Sequence, residues 1–159
     1  MIEIREFDIT EQNSIREFVL NIQNNEFNLG FDEQEQTDLI DTKNFYENGC
    51  FFIAKFKNEI VGTIGLQRLD KKNAVLRKLF VEKEFRGKEF NIALLLFEKL
   101  IEFVNKEQIK TIWLDSPSVA TASHRFYERN GFIQTDKLNL PFGYIFPDKN
   151  SKIYKLTIE

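Results

Sequence analysis

The residues that first suggest chemistry lie in a short turn, where Arg86, Gly87 and Lys88 precede a long apolar segment. A strand, a glycine turn and a helix in this order bring the unpaired N–H groups of a first helical turn to one point, which attracts an anion. Gly87 can adopt a positive φ that turns successive amides inward, and the two cations add charge nearby. The alternative is an ordinary surface turn. The segment lacks the glycines of dinucleotide-binding loops and the Lys-Ser/Thr ending of nucleotide hydrolases.

The elements before this turn follow from the hydrophobic periodicity. The N-terminal sequence IEIREF alternates apolar and polar residues, which predicts a strand. The sequence TEQNSIREFVLNIQNNEF predicts a helix with Thr10 as its cap. Two strands joined at Lys57-Asn58-Glu59 are predicted in CFFIAKFKNEIVGTIGLQRL, and a third in NAVLRKLFVE. These three strands are expected to form an antiparallel meander.

The elements after the turn complete the fold class. The strongest predicted helix runs from Phe90 to Val104, because its polar residues fall on one narrow stripe. KTIWLDS predicts a strand, SVATASHRFYERNG a helix that stops at Gly131, FIQTD and KIYKLTIE two strands, and KLNLPFGYIFPDKN a loop. The class is therefore α/β, with a mixed, largely antiparallel central sheet of about seven strands and helices on both faces. A single domain over residues 1–159 is expected.

The net charge and the composition exclude several classes of binding partner and indicate the cellular compartment. A formal net charge of −3 provides no general attraction for nucleic acid. Cys50 is the only cysteine, so an internal disulfide and a thiolate metal cluster are excluded, and its apolar neighbours favour a buried thiol over a nucleophile. No segment reaches the ~18 apolar residues of a membrane span, and the N-terminus lacks a signal-peptide pattern. A cytoplasmic protein without membrane or nucleic-acid partners is expected.

Two sequence blocks, VEKEFRGKEFNIALLLFEKL and FYERNGF, closely resemble the GNAT superfamily of acetyl-CoA-dependent N-acetyltransferases. The resemblance covers residues 74–132 and includes the order of the elements, and the two blocks together are more specific than either alone. It implies acetyl-CoA as co-substrate, no metal, and a primary amine of a small molecule or peptide as the acceptor. A second copy of the chain, forming a homodimer, is also among the expected partners.

The resemblance also implies a coenzyme site. In the family, the pattern Arg/Gln-x-x-Gly-x-Gly/Ala provides the backbone amides that hold the coenzyme pyrophosphate. Here the pattern begins at Arg86, and its two small positions fall on Glu89 and Asn91. Asn91 can adopt a left-handed conformation, whereas the carboxylate of Glu89 is repelled by about 1 kcal/mol at about 4 Å in water and is expected to point away. An asparagine that starts the later helix in many members is Ala120 here, with Thr121 or Ser123 as replacements. The implied coenzyme-binding residues are Leu79, Phe80, Val81, Arg86, Gly87, Lys88, Glu89, Phe90, Asn91, Thr121 and Ser123.

Acetyl transfer to an amine requires a base and an acid. Removing a proton from an amine of pKa about 10.4 at pH 7 costs about 4.6 kcal/mol. The strand glutamate that serves as base in many members falls on Val75, so Asp115 is predicted instead, with Glu82 as a weaker candidate. Tyr127 occupies the family position of the general acid that protonates the thiolate. The structural alternatives are a capping or loop carboxylate for Asp115 and a core ring for Tyr127.

Several further expectations concern the surroundings of these residues. A backbone N–H near 79–81 is expected to meet the oxyanion, at a strand bulge found in family members. Arg77 and Lys78 are expected on opposite faces of their strand, with one cation able to bind an anionic acceptor. His124 shares the helical face of Tyr127 and either packs or relays protons. Residues 11–48 and 138–150, with Phe142, Tyr144 and Phe146, are expected to wall the acceptor cleft.

Two functions are compatible with these residues. The first is an N-acetyltransferase that uses direct attack of the amine. The second is an acyl-CoA-binding module that acts as a sensor or interaction partner with little catalysis, which the departures at Glu89, Asn91 and Val75 favour. A doubly wound nucleotide-binding domain is disfavoured, because three uninterrupted strands precede residue 82 where that fold alternates strands and helices.

Overall fold

A seven-stranded mixed sheet, in the order β1-β2-β3-β4-β5-β7-β6, forms the centre of the fold. It is seen in a computed structural model that describes residues 1–144 and 150–159. The first four strands form an antiparallel meander, β4 and β5 are parallel, and β7 is antiparallel to both β5 and β6. The predicted fold class is confirmed. The strands are β1 Ile2–Glu6, β2 Cys50–Phe56, β3 Glu59–Arg68, β4 Asn73–Val81, β5 Thr111–Pro117, β6 Ile133–Thr135 and β7 Ser151–Thr157.

The α-helices are α1 Gln12–Leu20, α2 Thr37–Ile40, α3 Thr42–Phe45, α4 Ile92–Lys106 and α5 Thr121–Arg129. A π-helical turn, Asn21–Glu26, continues α1, and short 3₁₀ turns occur at Ile9–Glu11, Glu33–Glu35, Lys83–Phe85 and Lys137–Asn139. The last of these lies within the segment predicted to be a loop, whose residues 145–149, including Phe146, fall outside the described ranges. No helix in residues 1–144 and 150–159 is long and apolar enough to cross a bilayer.

Three predicted helix starts differ from the observed ones, and one of these helices, predicted from Ser118, begins at Thr121. The prediction that Thr10 caps the first helix is wrong, because Asp8 accepts a hydrogen bond from the Thr10 N–H at 2.9 Å and begins a 3₁₀ turn. Glu11 closes a capping box by accepting from the Asp8 N–H at 2.8 Å. The later helix begins at Ile92 instead of Phe90, because Asn91 adopts a left-handed conformation with φ 57°.

Helices cover both faces of the sheet and create two hydrophobic layers. The α1 layer packs α1 and α2 against one face, with Ile15, Val19, Leu39, Tyr46, Phe51 and Ile53 in its core. The α4 layer packs α4 and α5 against the other face, with Ile92, Leu96, Leu100, Tyr127 and Tyr154 among its buried residues. Alternate side chains of the central strands enter opposite layers, as the pleat of a strand requires.

The strands β4 and β5 separate along their length. Their parallel pairing joins Asn73–Val75 to Thr111–Trp113, and no register continues beyond those residues. Later residues of both strands line a cavity in the resulting gap. The fold therefore opens its sheet at the end where the helices α4 and α5 begin.

Candidate active site

The cavity between β4 and β5 has a volume of about 280 Å³ and gathers residues from both layers. It meets the carboxyl ends of two parallel strands, a common location for binding sites in α/β folds. Its described lining includes Gln23, Phe27, Leu29, Phe31, Gln36, Leu76, Arg77, Lys78, Leu79, Phe80, Val81, Arg86, Ala93, Asp115, Ser116, Pro117, Val119, Ala120, Ala122, Ser123, Phe126, Tyr127 and Ser151.

A bulge interrupts β4 where it borders the cavity. Gly65 pairs with Arg77 and Thr63 pairs with Phe80, so that two residues, Lys78 and Leu79, lie opposite one residue of β3. Lys78 has a φ of 56°, in the left-handed region. The bulge implied by the family resemblance is therefore present in this strand.

The bulge also overturns the expected alternation of Arg77 and Lys78. Arg77 donates a hydrogen bond to Gln67 and its guanidinium lies 5.9 Å from the centre of the Phe45 ring, in the α1 layer. Lys78 pairs with Asp38 of α2, in the same layer. The prediction of opposite faces is wrong because one extra residue in the strand resets the two-residue period.

Tyr127 lies where α5 meets the cavity. Its side chain is 6% exposed, and the rings of Phe126, Phe132 and Tyr154 surround it at centroid distances of 5.9, 5.5 and 6.1 Å. Burial, and secondly the negative charge of Asp115, raise the pKa of its hydroxyl. The phenol is therefore protonated at neutral pH, as a general acid must be before it acts.

Asp115 lies across the same cavity, near the end of β5. The hydroxyl of Tyr144 donates a hydrogen bond of 2.5 Å to its Oδ1. Asp115 is the sole carboxylate among the described residues that line the cavity. Val75 is fully buried, and Glu82 does not line the cavity. The structure thus brings Asp115 together with Tyr127 and leaves the weaker base candidate outside.

The turn before α4 has the backbone needed for an anion site. Gly87 has a φ of 104°, and a Cβ built on it would meet nothing within 4 Å. The Asn91 N–H donates to the Gly87 carbonyl at 3.1 Å, and no side chain of the described residues caps α4. Lys88 and Glu89 are exposed. The first-turn amides of α4 consequently lack a side-chain acceptor, which suits a helix start that binds an anion.

The side chain of Arg86 has a different environment from the one expected. Its Nε donates to the Val81 carbonyl at 2.8 Å, and both terminal nitrogens bond to the carboxylate of Glu26 in the π turn. Phe27 lies under the guanidinium, 5.8 Å from it. Arg86 therefore forms an ion pair with a carboxylate beside the turn, an interaction that the local motif did not reveal.

The remaining predicted residues divide between the cavity and other surroundings. Ser123 lines the cavity, whereas Thr121 is exposed outside it. Phe90 packs on Phe85, with ring centres 5.0 Å apart. Leu79 packs toward the α4 layer and Phe80 toward the α1 layer, and both line the cavity with Val81.

Two titratable side chains considered from sequence lie away from the cavity. His124 is 4% exposed, packs 5.8 Å from the Tyr154 ring, and has its pKa lowered first by burial and then by Lys152. Burial raises the pKa of the Cys50 thiol to about 12, so it is not a thiolate nucleophile at neutral pH. Within the described ranges, no group of three or more His, Cys, Asp or Glu residues is arranged to hold a metal ion.

Sequence reasoning missed three features of the site. Asp38 and Tyr46 approach Lys78 from α2 and from the segment after α3, although neither belongs to a recognisable motif. Glu26 reaches Arg86 across 60 positions of the chain. A lysine in a left-handed bulge has no local sequence signal, because glycine and asparagine are the usual residues there.

Comparisons with known proteins agree with this arrangement. A family model described as the acetyltransferase (GNAT) family matches residues 16–132. The chain belongs to the GNAT acetyltransferase family. An acetyltransferase structure from Streptococcus agalactiae 2603 is 35% identical, with a TM-score of 0.93, and the match covers 99% of this GNAT chain and 98% of that chain.

Two further comparisons are with proteins whose names specify N-acetylation. N-acetylaspartate synthetase from Danio rerio is 32% identical over 112 residues, which are 66% of this chain and 39% of that protein. The GNAT chain therefore spans about two fifths of that relative's length. The PaiA N-acetyltransferase from Thermoplasma acidophilum, solved in complex with coenzyme A, shares the fold at 19% identity, with a TM-score of 0.74 and 99% of each chain covered.

Proposed function

We propose that this GNAT chain is an N-acetyltransferase that moves an acetyl group from acetyl-CoA to a primary amine of a small molecule or peptide. One observation carries the proposal: a single cavity joins the β4 bulge, the phenol of Tyr127 and the carboxylate of Asp115. The turn at Gly87, which follows β4 in the sequence, presents backbone amides suited to binding a diphosphate. A protein of the same fold was solved with coenzyme A, which supports the choice of donor.

The residues have distinct roles in the proposed transfer. The acceptor reacts as its neutral amine, after releasing one proton to solvent, and its nitrogen attacks the thioester carbonyl carbon while Asp115 accepts the proton that this nitrogen then loses. A backbone N–H of the β4 bulge donates a hydrogen bond to the carbonyl oxygen as that oxygen gains negative charge. Tyr127 gives its hydroxyl proton to the thiolate as the C–S bond breaks. The proton held by Asp115 then returns to Tyr127, so that amide and thiol are the net products.

The charges around the cavity favour certain acceptors. The described lining residues include three cations, Arg77, Lys78 and Arg86, and the single carboxylate of Asp115, with Lys78 and Arg86 ion-paired to Asp38 and Glu26 outside the lining. A polyamine or aminoglycoside would bring further positive charge into this environment, whereas an amine that also bears a carboxylate would not. The name of the Danio rerio relative, N-acetylaspartate synthetase, specifies such a compound. We therefore place acidic amino acids first among the candidate acceptors.

The test combines coenzyme binding with a screen for turnover. Acetyl-CoA affinity is measured by calorimetry, and thiol release is measured with acidic and neutral amino acids, short peptides, polyamines and aminoglycosides. Binding together with thiol release from a carboxylate-bearing amine is the expected result. Binding without turnover on any amine would instead support the coenzyme-binding module. Failure to bind acetyl-CoA would refute both functions.

A further inference from the structure

A buried polar cluster lies directly behind the β4 bulge, in the α1 layer. The Nζ of Lys78 is 3.1 Å from Oδ2 of Asp38, and the hydroxyl of Tyr46 donates to the same oxygen at 2.7 Å. Asp38 is 3% exposed and Tyr46 is 4% exposed. Burying an ion pair costs several kcal/mol per ion before the attraction of the two charges is counted, and apolar residues often serve stability equally well. Stability alone is therefore a weak explanation for this pair.

The backbone of Lys78 adds a second cost at the same residue. A residue with a side chain is strained in the left-handed region, which glycine would avoid. Lysine, unlike glycine, provides an ammonium group that reaches Asp38. The side chain thus ties the strained residue of the bulge to helix α2.

The carbonyl of Lys78 is held as well, and it determines the direction of the next N–H. Thr63 of β3 donates its hydroxyl to this carbonyl at 2.7 Å. The peptide bond is trans, so the N–H of Leu79 points in the direction opposite to the carbonyl. It therefore points away from Thr63, and Leu79 itself lines the cavity in the gap between β4 and β5.

We propose that Asp38 and Lys78 are positioning residues, which fix the β4 bulge so that the Leu79 N–H binds the carbonyl oxygen of the acetyl thioester. This inference rests on the proposed function, since it assigns the residues that aim its oxyanion donor. Asp38 holds the side chain of Lys78 while Thr63 holds its carbonyl, and the peptide between Lys78 and Leu79 is fixed from two sides. Neither Asp38 nor Lys78 is assigned a proton transfer.

The stretching frequency of the thioester carbonyl reports directly on this hydrogen bond, so the experiment needs no acceptor amine. Acetyl-CoA labelled with a heavy isotope at the acetyl carbonyl is bound to the full chain, and its carbonyl stretch is recorded by infrared difference spectroscopy. In the wild-type protein the stretch is expected at lower frequency than in buffer, because the oxygen accepts a hydrogen bond. Asp38→Asn and Lys78→Met are expected to lose this shift while acetyl-CoA affinity changes by less than about threefold. Where an acceptor is found, kcat should fall by at least about tenfold with little change in the KM for acetyl-CoA.

The matched control is Lys55→Met, which removes a second part-buried ion pair, with Lys55 Nζ 3.0 Å from Glu11 Oε2 and neither residue in the cavity. It is expected to lower stability and to leave the carbonyl shift intact. The double variant Asp38→Asn/Lys78→Met leaves no unpaired buried charge, so it should fold even if a single variant does not. A shift that survives in the folded double variant would overturn the positioning role. Binding of acetyl-CoA without any shift in the wild-type protein would also overturn it, whereas absence of binding would instead refute the proposed function.

Discussion

At the scale of single residues, the hydroxyl of Tyr127 is the atom on which the proposed acid step depends. Replacing Tyr127 by Phe keeps the ring that packs against Phe126 and Phe132 but removes the proton donor. Loss of a general acid lowers rates by about 10²–10⁴-fold, so kcat for Tyr127→Phe should fall by at least about 10²-fold with acetyl-CoA affinity retained. Steady-state kinetics and calorimetry measure the two quantities.

The control for that substitution is Tyr154→Phe. The Tyr154 hydroxyl donates to Glu128 at 2.8 Å, and Tyr154 does not line the cavity. This variant loses one hydrogen bond, which costs about 1 kcal/mol of stability, but it retains Tyr127, the proposed general acid. Equal losses of kcat in the two variants would show that the phenol of Tyr127 has only a packing role.

The conformation of Gly87 provides a second test at this scale. Gly87→Ala adds a methyl group that meets no atom within 4 Å, so its effect arises from the φ of 104° and not from a clash. The backbone should relax away from the anion-binding geometry, and acetyl-CoA affinity should fall by about tenfold, the equivalent of about 1.4 kcal/mol of strain. Gly143→Ala is the matched control, because Gly143 has a φ of 89° and the same open space. Calorimetry should show unchanged acetyl-CoA affinity for this control, and a similar loss in both variants would contradict an anion site at Gly87.

At the scale of elements, the capping box before α1 links stability to pH. Burial raises the pKa of Glu11, but hydrogen bonds from Arg5, the Asp8 amide and Lys55 outweigh that effect and lower it to about 2. A lowered folded-state pKa gives stability that is present above the unfolded value of 4.5 and is lost as the pH falls toward about 2. Glu11→Gln should therefore lower the free energy of unfolding at pH 7 by about 1 kcal/mol, allowing for solvent screening, and flatten its fall in acid.

Urea unfolding at neutral and acidic pH measures this effect. Glu3→Gln is the comparison, because Glu3 is 65% exposed and lies 3.5 Å from the Arg5 Nε. It should leave both the stability at pH 7 and its acid dependence close to those of the wild-type protein. An unchanged acid profile in Glu11→Gln would show that the network around the capping box does not hold this carboxylate ionised.

The elements themselves were largely predictable from local patterns. Period-two alternation identified the meander, and the turn at Lys57-Asn58 has two positive φ values, as a two-residue hairpin requires. The apolar stripe of α4 marked both ends of that helix within two residues of the observed ones, and the glycine after α5 marked the end of that helix within two residues. Exact helix starts were less predictable, because Asp8 and Asn91 act through backbone geometry that periodicity does not encode.

The lining of the cavity was predictable where a family motif, a strand end or a helix start marks a residue, and not where it depends on tertiary contacts. Tyr127, Asp115 and Ser123 do line one cavity. The pairing of Lys78 with Asp38 and of Arg86 with Glu26 joins segments far apart in the chain, and the bulge shifts the register of every later side chain in β4. Such contacts arise only when the sheet and both layers are assembled.

At the scale of the whole molecule, the two layers serve different halves of the proposed reaction. The α4 layer carries the turn at Gly87 and the phenol of Tyr127, which act on the donor. The α1 layer carries Asp38, which holds the bulge, together with the π turn that lines the cavity. The two layers lie on opposite faces of the sheet. A substitution that disturbs the packing of one layer should therefore affect one half of the reaction more than the other.

Two glycines of β3 test this division, because they face opposite layers. A Cβ at Gly65 would lie 2.7 Å from the Tyr46 ring, whereas a Cβ at Gly62 would lie 2.9 Å from Ile92 at the start of α4. Both substitutions to alanine overpack the core and should lower the free energy of unfolding by about 1–3 kcal/mol. Their functional effects should differ. Gly65→Ala displaces Tyr46 from Asp38 and should lower kcat, whereas Gly62→Ala displaces the start of α4 and should weaken acetyl-CoA binding.

Kinetics, calorimetry and urea unfolding on the same two variants separate these effects. Because the variants share their chemistry, their strand and their expected loss of stability, each serves as the control for the other. If kcat and acetyl-CoA affinity fell together in both, the layers would act as one packed unit, and the loss would reflect stability alone. Opposite patterns would mean that the buried contacts of Tyr46 and Ile92 transmit separate constraints to the bulge and to the anion-binding turn.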